Sequence, residues 1–92
     1  MVRVFKKANF NLYSDYNGEY IIHNTHKEFS KGHTHIKNYN TAIYLINLAH
    51  HKSVPHRHLK YFIESLIRIS DDCEYIKKLK ETLGSQKMKK KR

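Results

Sequence analysis

The stretch from residue 33 to residue 49, HTHIKNYNTAIYLINLA, contains the point at which the chain changes its secondary structure. Up to Ile36 the polar and apolar side chains alternate, which is typical of a short strand. From Asn38 onward the apolar residues recur at helical spacing, and Asn38 or Asn40 can cap the first turn. This change predicts a sheet before residue 38 and helices after it, which is an α+β fold.

Upstream of this stretch, residues 8–36 are expected to be extended, with Asn17-Gly18 supplying the positive φ angles of a tight hairpin. A strict two-residue turn would pair Leu12 with His23, whereas a four-residue loop pairs Leu12 with Ile21. The second register gives the better apolar face and is preferred. The N-terminal part is therefore predicted to be a β-hairpin or small antiparallel meander.

Downstream, the pattern predicts three helices. The first is expected to turn these residues inward: Ile43, Ile46, Leu48 and Ala49. After a break at Ser53-Val54-Pro55, the second helix is the most apolar and is expected to be central, with these residues on its core side: Leu59, Phe62, Ile63, Leu66, Ile67 and Ile69. The third is expected to start at a capping box formed by Asp71 and Glu74 and to end at Gly84, and to bury these residues: Tyr75, Ile76, Leu79 and Leu83.

The length of 92 residues fits one compact domain, which we assign to residues 1–84. Apolar residues nearly stop after Gly84. Residues 85–92 are therefore predicted to form a flexible basic tail.

The chain is strongly basic. Its formal net charge is +10, and the segment Lys87 to Arg92 contributes five of these charges. All eight histidines precede residue 59, and a nearby polyanion would favour their protonated form. This balance indicates phosphate or another anionic surface as the partner, although a lysine-rich surface can also simply keep a small protein soluble.

Residues 43–63 resemble a helix-turn-helix motif, with Ser53-Val54 in the turn and the second helix in the reading position. Two departures are Lys52, where an apolar residue is usual, and Ser53, where glycine is favoured. An ordinary helical hairpin would need the same apolar spacing. The candidate nucleic-acid-binding residues are Lys52, His56, Arg57, His58 and Lys60, together with Lys89, Lys90, Lys91 and Arg92 in the tail.

A metal site is a weaker hypothesis. His33 and His35 would share one face of a strand, and His23 on a neighbouring strand could converge with them. A structural zinc site needs four protein ligands, and the single cysteine lies far along the chain. We therefore expect no cofactor.

No enzyme class is indicated by the sequence. It contains no glycine-rich phosphate loop, no nucleophile elbow and no carboxylate pair in its basic region. Cys73, beside Asp72 and Glu74, is expected to be an inert helix residue. One cysteine fits a reducing compartment, and the short apolar runs predict neither a signal peptide nor a membrane span, so a cytoplasmic protein is expected.

The aromatic residues suggest a different partner. The first forty residues are rich in tyrosine, and exposed rings among cations could stack on single-stranded bases. Such tyrosines also brace small sheets or anchor protein interfaces. A protein-interaction module with Tyr13 and Tyr20 as anchors is therefore the alternative to nucleic-acid binding.

Three segments, YIIHN (20–24), GHTHIKN (32–38) and SLIRISDD (65–72), resemble small uncharacterised proteins of phages and mobile elements of low-GC Gram-positive bacteria. The resemblance implies a cytoplasmic accessory protein and supplies no site residues. The leading hypothesis is a non-enzymatic nucleic-acid-binding accessory or regulatory protein, a monomer or homodimer, with DNA favoured over RNA. A module that binds a host or phage protein is second, and a metal-dependent nuclease is third.

Overall fold

A four-stranded antiparallel sheet precedes three helices. The computed structural model describes the backbone of residues 1–55 and 60–90 and the side chains of residues 1–55 and 60–84. The strands are β1 (Val2–Lys7), β2 (Phe10–Ser14), β3 (Tyr20–Asn24) and β4 (His33–Ile36), and the helices are α1 (Tyr39–His51), α2 (Lys60–Ile69) and α3 (Cys73–Lys90). Strands adjacent in sequence are adjacent in the sheet, in the order β1-β2-β3-β4. The α+β class and the antiparallel meander are confirmed.

Strand β1 lies outside the segment that was expected to be extended. It pairs with β2 and has a register irregularity between Arg3 and Phe5. The turn between the two strands is Ala8-Asn9, and Ala8 has a φ of 53°. A tight hairpin turn usually places glycine or asparagine at such a positive φ, so the sequence carries no recognisable turn at this point.

The predicted pairing between β2 and β3 is wrong by one residue. Leu12 pairs with Ile22, rather than with Ile21 or His23. The loop has five residues between Ser14 and Tyr20, closed by the Asp15 amide donating to the Glu19 carbonyl at 2.8 Å, with Gly18 at a φ of 78°. The preferred register was therefore shifted by one residue, and such a shift moves every side chain of a strand to the opposite face of the sheet.

The core lies on one face of the sheet, where α1 and α2 pack on β3 and β4, and α3 packs against α2 and adds Tyr75 and Leu79 to the same core. The largest fully buried apolar side chains are Leu12, Ile22, Ile36, Leu45, Ile46, Ile63, Leu66, Ile69 and Leu79. Each strand alternates, so the neighbours of Leu12 and Ile22 along their strands lie on the opposite face.

Helix α1 begins as predicted, with the Asn38 side chain accepting a hydrogen bond from the Thr41 amide at 3.1 Å. Its buried residues are Ala42, Leu45, Ile46 and Ala49. The predicted inner residues Ile46 and Ala49 are therefore confirmed, whereas Ile43 and Leu48 are only partly buried against the core. Ala42, Leu45 and Ala49 follow one another at intervals of three and four residues, so they define the buried face of α1.

The connection between α1 and α2 starts at Lys52, which ends α1 in the left-handed conformation with a φ of 54°. Residues Ser53 to Pro55 are non-helical, Pro55 is buried, and Val54 packs against the core as the helix-turn-helix alignment expects. Residues 56–59 lie outside the described part of the chain. The turn therefore has at least four residues, and the helix-turn-helix assignment stays a prediction.

Helix α2 is central, as predicted, and buries Ile63, Leu66 and Ile69 fully. Phe62 and Ile67 are partly buried at its margins. The predicted cap of α3 was wrong by one residue, because it is the Asp72 carboxylate that accepts from the Tyr75 amide at 3.0 Å.

Helix α3 continues to Lys90 instead of ending at Gly84. It buries Tyr75 and Leu79, whereas Ile76 and Leu83, also expected inside, are partly exposed. The mobility of residues 85–92 stays a prediction. Among the described helices, none is both long enough and apolar enough to cross a membrane.

The loop after β3 is fastened to the junction of α2 and α3. Asn24 is fully buried and donates to the Ile69 carbonyl at 2.9 Å. The Lys27 ammonium donates to the carbonyls of Arg68 and Ser70, each at 3.2 Å. These contacts fix the path of residues 25–32 beside the sheet.

Candidate nucleic-acid interface

The predicted basic residues are divided by the limits of the described chain. His56, Arg57 and His58 lie outside it, as do Lys91 and Arg92, and only the backbone is described for Lys89 and Lys90. Lys52 and Lys60 are described in full.

Lys52 is held against a carboxylate. Its ammonium lies 2.8 Å from the Asp72 carboxylate, which sits at the start of α3. This hydrogen bond lowers the pKa of Asp72 and raises the pKa of Lys52. In the free protein the Lys52 charge is therefore balanced locally, and a phosphate would have to compete with Asp72.

Lys60 is exposed at the start of α2. Along the same exposed face follow Glu64 and Arg68, each one turn further on. The described part of the α2 surface thus carries two cations separated by one carboxylate.

Helix α3 carries a second pair of exposed cations. Tyr75 and Leu79 point into the core, whereas Lys77 and Lys80 are exposed on the opposite side of the helix. They line a shallow groove together with Cys73, Ile76 and Glu81. The sequence prediction selected the lysines of the tail and not this pair. Helical spacing alone could have identified it, because residues three apart lie on the same face of a helix.

The three histidines considered for metal binding share one face of the sheet, as predicted. His23 pairs directly with His33, and His35 pairs with Ile21. A ring nitrogen of His23 donates to the Lys27 carbonyl at 3.0 Å, and one of His33 donates to the Phe29 carbonyl. These nitrogens are therefore engaged with backbone.

A different group comes closer to metal-site geometry. Among the residues that the structure describes, Asp15, Glu19 and His35 are the ones whose candidate ligand atoms lie within 4.8 Å of one another. His35 also lies 3.8 Å from Glu19, which is an ion pair when the imidazole is protonated. Exposed clusters of this kind are common without a metal, and we assign none to it.

Glu19 also faces a cavity of about 320 Å³ between β4, the start of α1 and the start of α2. Its other walls include Lys37, Asn38 and Tyr61. Partial burial, and secondarily the Glu19 charge, raises the pKa of Tyr61. A carboxylate in the wall disfavours a phosphate there.

The two tyrosines proposed as protein anchors lie on opposite faces of the sheet. Tyr20 packs against the core and meets the ring of Tyr39 edge-on, with centroids 5.6 Å apart. Tyr13 is half-buried on the sheet face that none of the described helices covers, and its hydroxyl accepts from the side-chain amide of Asn11 at 3.2 Å. They do not form one anchor pair.

Comparisons of the chain with protein-family models, with curated proteins and with solved structures gave no match.

Proposed function

We propose that the protein is a small non-enzymatic nucleic-acid-binding protein that holds phosphate through the outward face of α3. The observation that carries the proposal is the lysine pair Lys77 and Lys80, exposed on the side of α3 opposite its buried residues. The ligand is inferred from charge, because a net charge of +10 attracts a polyanion.

Helix α3 has the shape of an extended cationic contact. It spans 18 residues, which corresponds to about 27 Å of helix. Among its residues with described side chains, 73–84, the buried ones are Tyr75 and Leu79, which lie in its first half. The sequence of its second half adds three lysines, Lys87, Lys89 and Lys90. An anchored start and a basic continuation suit binding along a phosphate backbone.

The helix-turn-helix hypothesis supplies a second contact surface within the same proposal. Arg57 would read a base edge and Lys60 would hold a phosphate, with duplex DNA favoured over RNA. A cytoplasmic accessory role, phage-encoded or carried by a mobile element, belongs to the same proposal, and the single exposed thiol of Cys73 is compatible with a reducing compartment.

The test compares two double variants of equal charge. In Lys77→Gln/Lys80→Gln, two cations leave the outward face of α3, whereas Lys31→Gln/Lys37→Gln removes two exposed cations elsewhere. We expect the α3 variant to bind a 16-base-pair duplex several-fold more weakly in fluorescence anisotropy. Its salt dependence should become shallower, by roughly 0.9 in slope for each phosphate that the variant no longer binds.

The control variant should bind within about two-fold of the unmodified protein, since two lysines away from the interface contribute only long-range attraction. Equal weakening in both variants would show that net charge alone governs binding. No duplex binding by the unmodified protein, combined with nuclease-resistant capture of a protein partner, would replace the proposal with the protein-interaction alternative.

A further inference from the structure

The sheet has one face that none of the described helices covers. Strand pairing places these side chains on it: Arg3, Lys6, Asn11, Tyr13, Ile21, His23, His33 and His35. We call this set the outer face. Their sequence neighbours Leu12, Ile22 and Ile36 lie in the core beneath the helices.

Four aromatic rings adjoin one another along β3 and β4 on the outer face. Phe29, from the loop after β3, stacks on His33 with centroids 4.3 Å apart and planes at 7°. His23 lies 5.2 Å from Phe29, and His35 lies 5.1 Å from His33. We call His23, Phe29, His33 and His35 the ring row.

The ring row is held in place by backbone contacts. The ring nitrogens of His23 and His33 that donate to the carbonyls of Lys27 and Phe29 orient both imidazoles. The Phe29 side chain nevertheless stays 41% exposed. An exposed ring whose neighbours are already fixed loses little conformational freedom when a planar ligand stacks on it.

Two cations lie on the same face as the ring row, at the opposite edge of the sheet. Arg3 and Lys6 are exposed on β1, and neighbouring strands are spaced by about 4.8 Å, so β1 lies about 14 Å from β4. At the other end, Glu19 beside His35 repels phosphate. Charge therefore favours a polyanion that lies over His23, Phe29 and His33 and runs toward β1.

We infer that the outer face is a binding site for single-stranded nucleic acid, with bases stacked on the ring row and phosphates near Arg3 and Lys6. The span fits about two or three nucleotides, as expected for a sheet platform. The inference rests on the proposed function only in that the ligand is a nucleic acid, since the surface is separate from α3. Stacking is tolerant of sequence, because every base has an aromatic face.

The test uses fluorescein-labelled ten-nucleotide probes: oligo-dT, oligo-U and an abasic chain with the same phosphates. Phe29→Ala should weaken binding of oligo-dT and oligo-U by about five-fold or more. Phe29→Tyr should restore it to within about two-fold. Abasic binding and duplex binding should not change in either variant, and Tyr44→Ala serves as a control for removal of an exposed ring from a helix.

The base-containing probes also distinguish the two sources of a single strand. Tighter binding of oligo-U than of oligo-dT would favour RNA as the single strand that the site takes, and the reverse would favour DNA. If Phe29→Ala binds oligo-dT and oligo-U as the unmodified protein does, or loses abasic binding equally, the stacking site is disproved while duplex binding through α3 can stand. If the unmodified protein binds no nucleic acid, both proposals fail.

Discussion

At the scale of single residues, Lys52 and Asp72 form the contact with the clearest consequence for pH. Lys52 ends α1, and Asp72 caps α3 while holding the Lys52 ammonium at 2.8 Å. Asp72 has a pKa below its ordinary 3.8, and Lys52 has a pKa above its ordinary 10.5. The ion pair therefore stabilises the fold between these two ordinary values.

We predict that Lys52→Met lowers Tm at pH 7 by a few degrees at most, because the pair is solvent-exposed. The stability due to Asp72 is lost as pH falls through its lowered pKa, and that due to Lys52 is lost as pH rises through its raised pKa. The Tm difference between the two proteins should therefore shrink below about pH 4 and above about pH 10.5. Thermal unfolding across pH measures this.

Lys37→Met is the matched control, since Lys37 is exposed and remote from Asp72 in sequence. It should leave Tm close to that of the unmodified protein throughout the pH range. A Tm difference for Lys52→Met that stays constant from pH 3 to pH 8 would mean that the ion pair does not contribute.

Residue-scale features were only partly predictable. The sequence narrowed the cap of α1 to Asn38 or Asn40, because the periodic apolar pattern begins just after them, and the structure selects Asn38. At the start of α3, Asp71 and Asp72 are adjacent and are equally suitable caps by residue type, so the sequence could not decide between them. The hydrogen bond from the Tyr75 amide identifies Asp72 as the cap. The turn between β1 and β2 could not be predicted, because its residue with positive φ is Ala8 and alanine is unusual in that conformation.

At the scale of elements, Tyr75 connects α3 to the end of α1. Its side chain is 3% exposed, and its hydroxyl donates to the Ser53 carbonyl at 2.7 Å. Burial raises the pKa of this hydroxyl, so it stays protonated as a donor over the ordinary pH range. The contact fixes the segment that leads from α1 toward α2.

We predict that Tyr75→Phe lowers the free energy of unfolding by about 1 kcal/mol, because the Ser53 carbonyl loses its side-chain donor in a partly buried setting. Urea unfolding followed by circular dichroism measures the change. Tyr44→Phe, at a ring that is 43% exposed, should change the free energy by less than about 0.5 kcal/mol. Equal effects in the two variants would contradict a structural role for the Tyr75 hydroxyl.

The order of the elements and the central place of α2 were predictable, whereas the end of α3 and the pairing between strands were not. The apolar repeat of α2 indicated a central helix, and Ile63, Leu66 and Ile69 are buried as expected. The register of β2 against β3 depends on a five-residue loop whose length is set by backbone hydrogen bonds at Asp15 and Gly18. The predicted register, wrong by one residue, placed Ile21 on the core face, whereas the observed pairing with Tyr13 places it on the outer face.

At the scale of the whole molecule, the described cations do not gather on one helix. Some are used internally, as when Lys7 donates to the Asn47 side chain at 2.6 Å and Lys27 binds backbone carbonyls. Others are exposed on α3 and on the outer face, which are two separate surfaces. The basic composition could be read from the sequence, whereas its division between surfaces required the strand register and the packing of α3.

The same reason explains why the ring row was not predicted. The sequence placed His23, His33 and His35 on one face correctly, but it gave no reason to bring Phe29 onto the same face. Phe29 lies there because Asn24 and Lys27 hold the preceding part of the loop against the end of α2. In addition, the Phe29 carbonyl accepts a hydrogen bond from the His33 ring. Contacts of more than forty residues in sequence separation determine this placement.

The dependence of duplex affinity on salt tests the central claim of phosphate binding most directly. The logarithm of the association constant for a 16-base-pair duplex would be measured against the logarithm of NaCl concentration between about 50 and 300 mM. Four or more phosphate contacts predict a straight line with a slope of about −3.6 or steeper. A slope near zero, or no measurable binding at about 50 mM NaCl, would contradict phosphate binding.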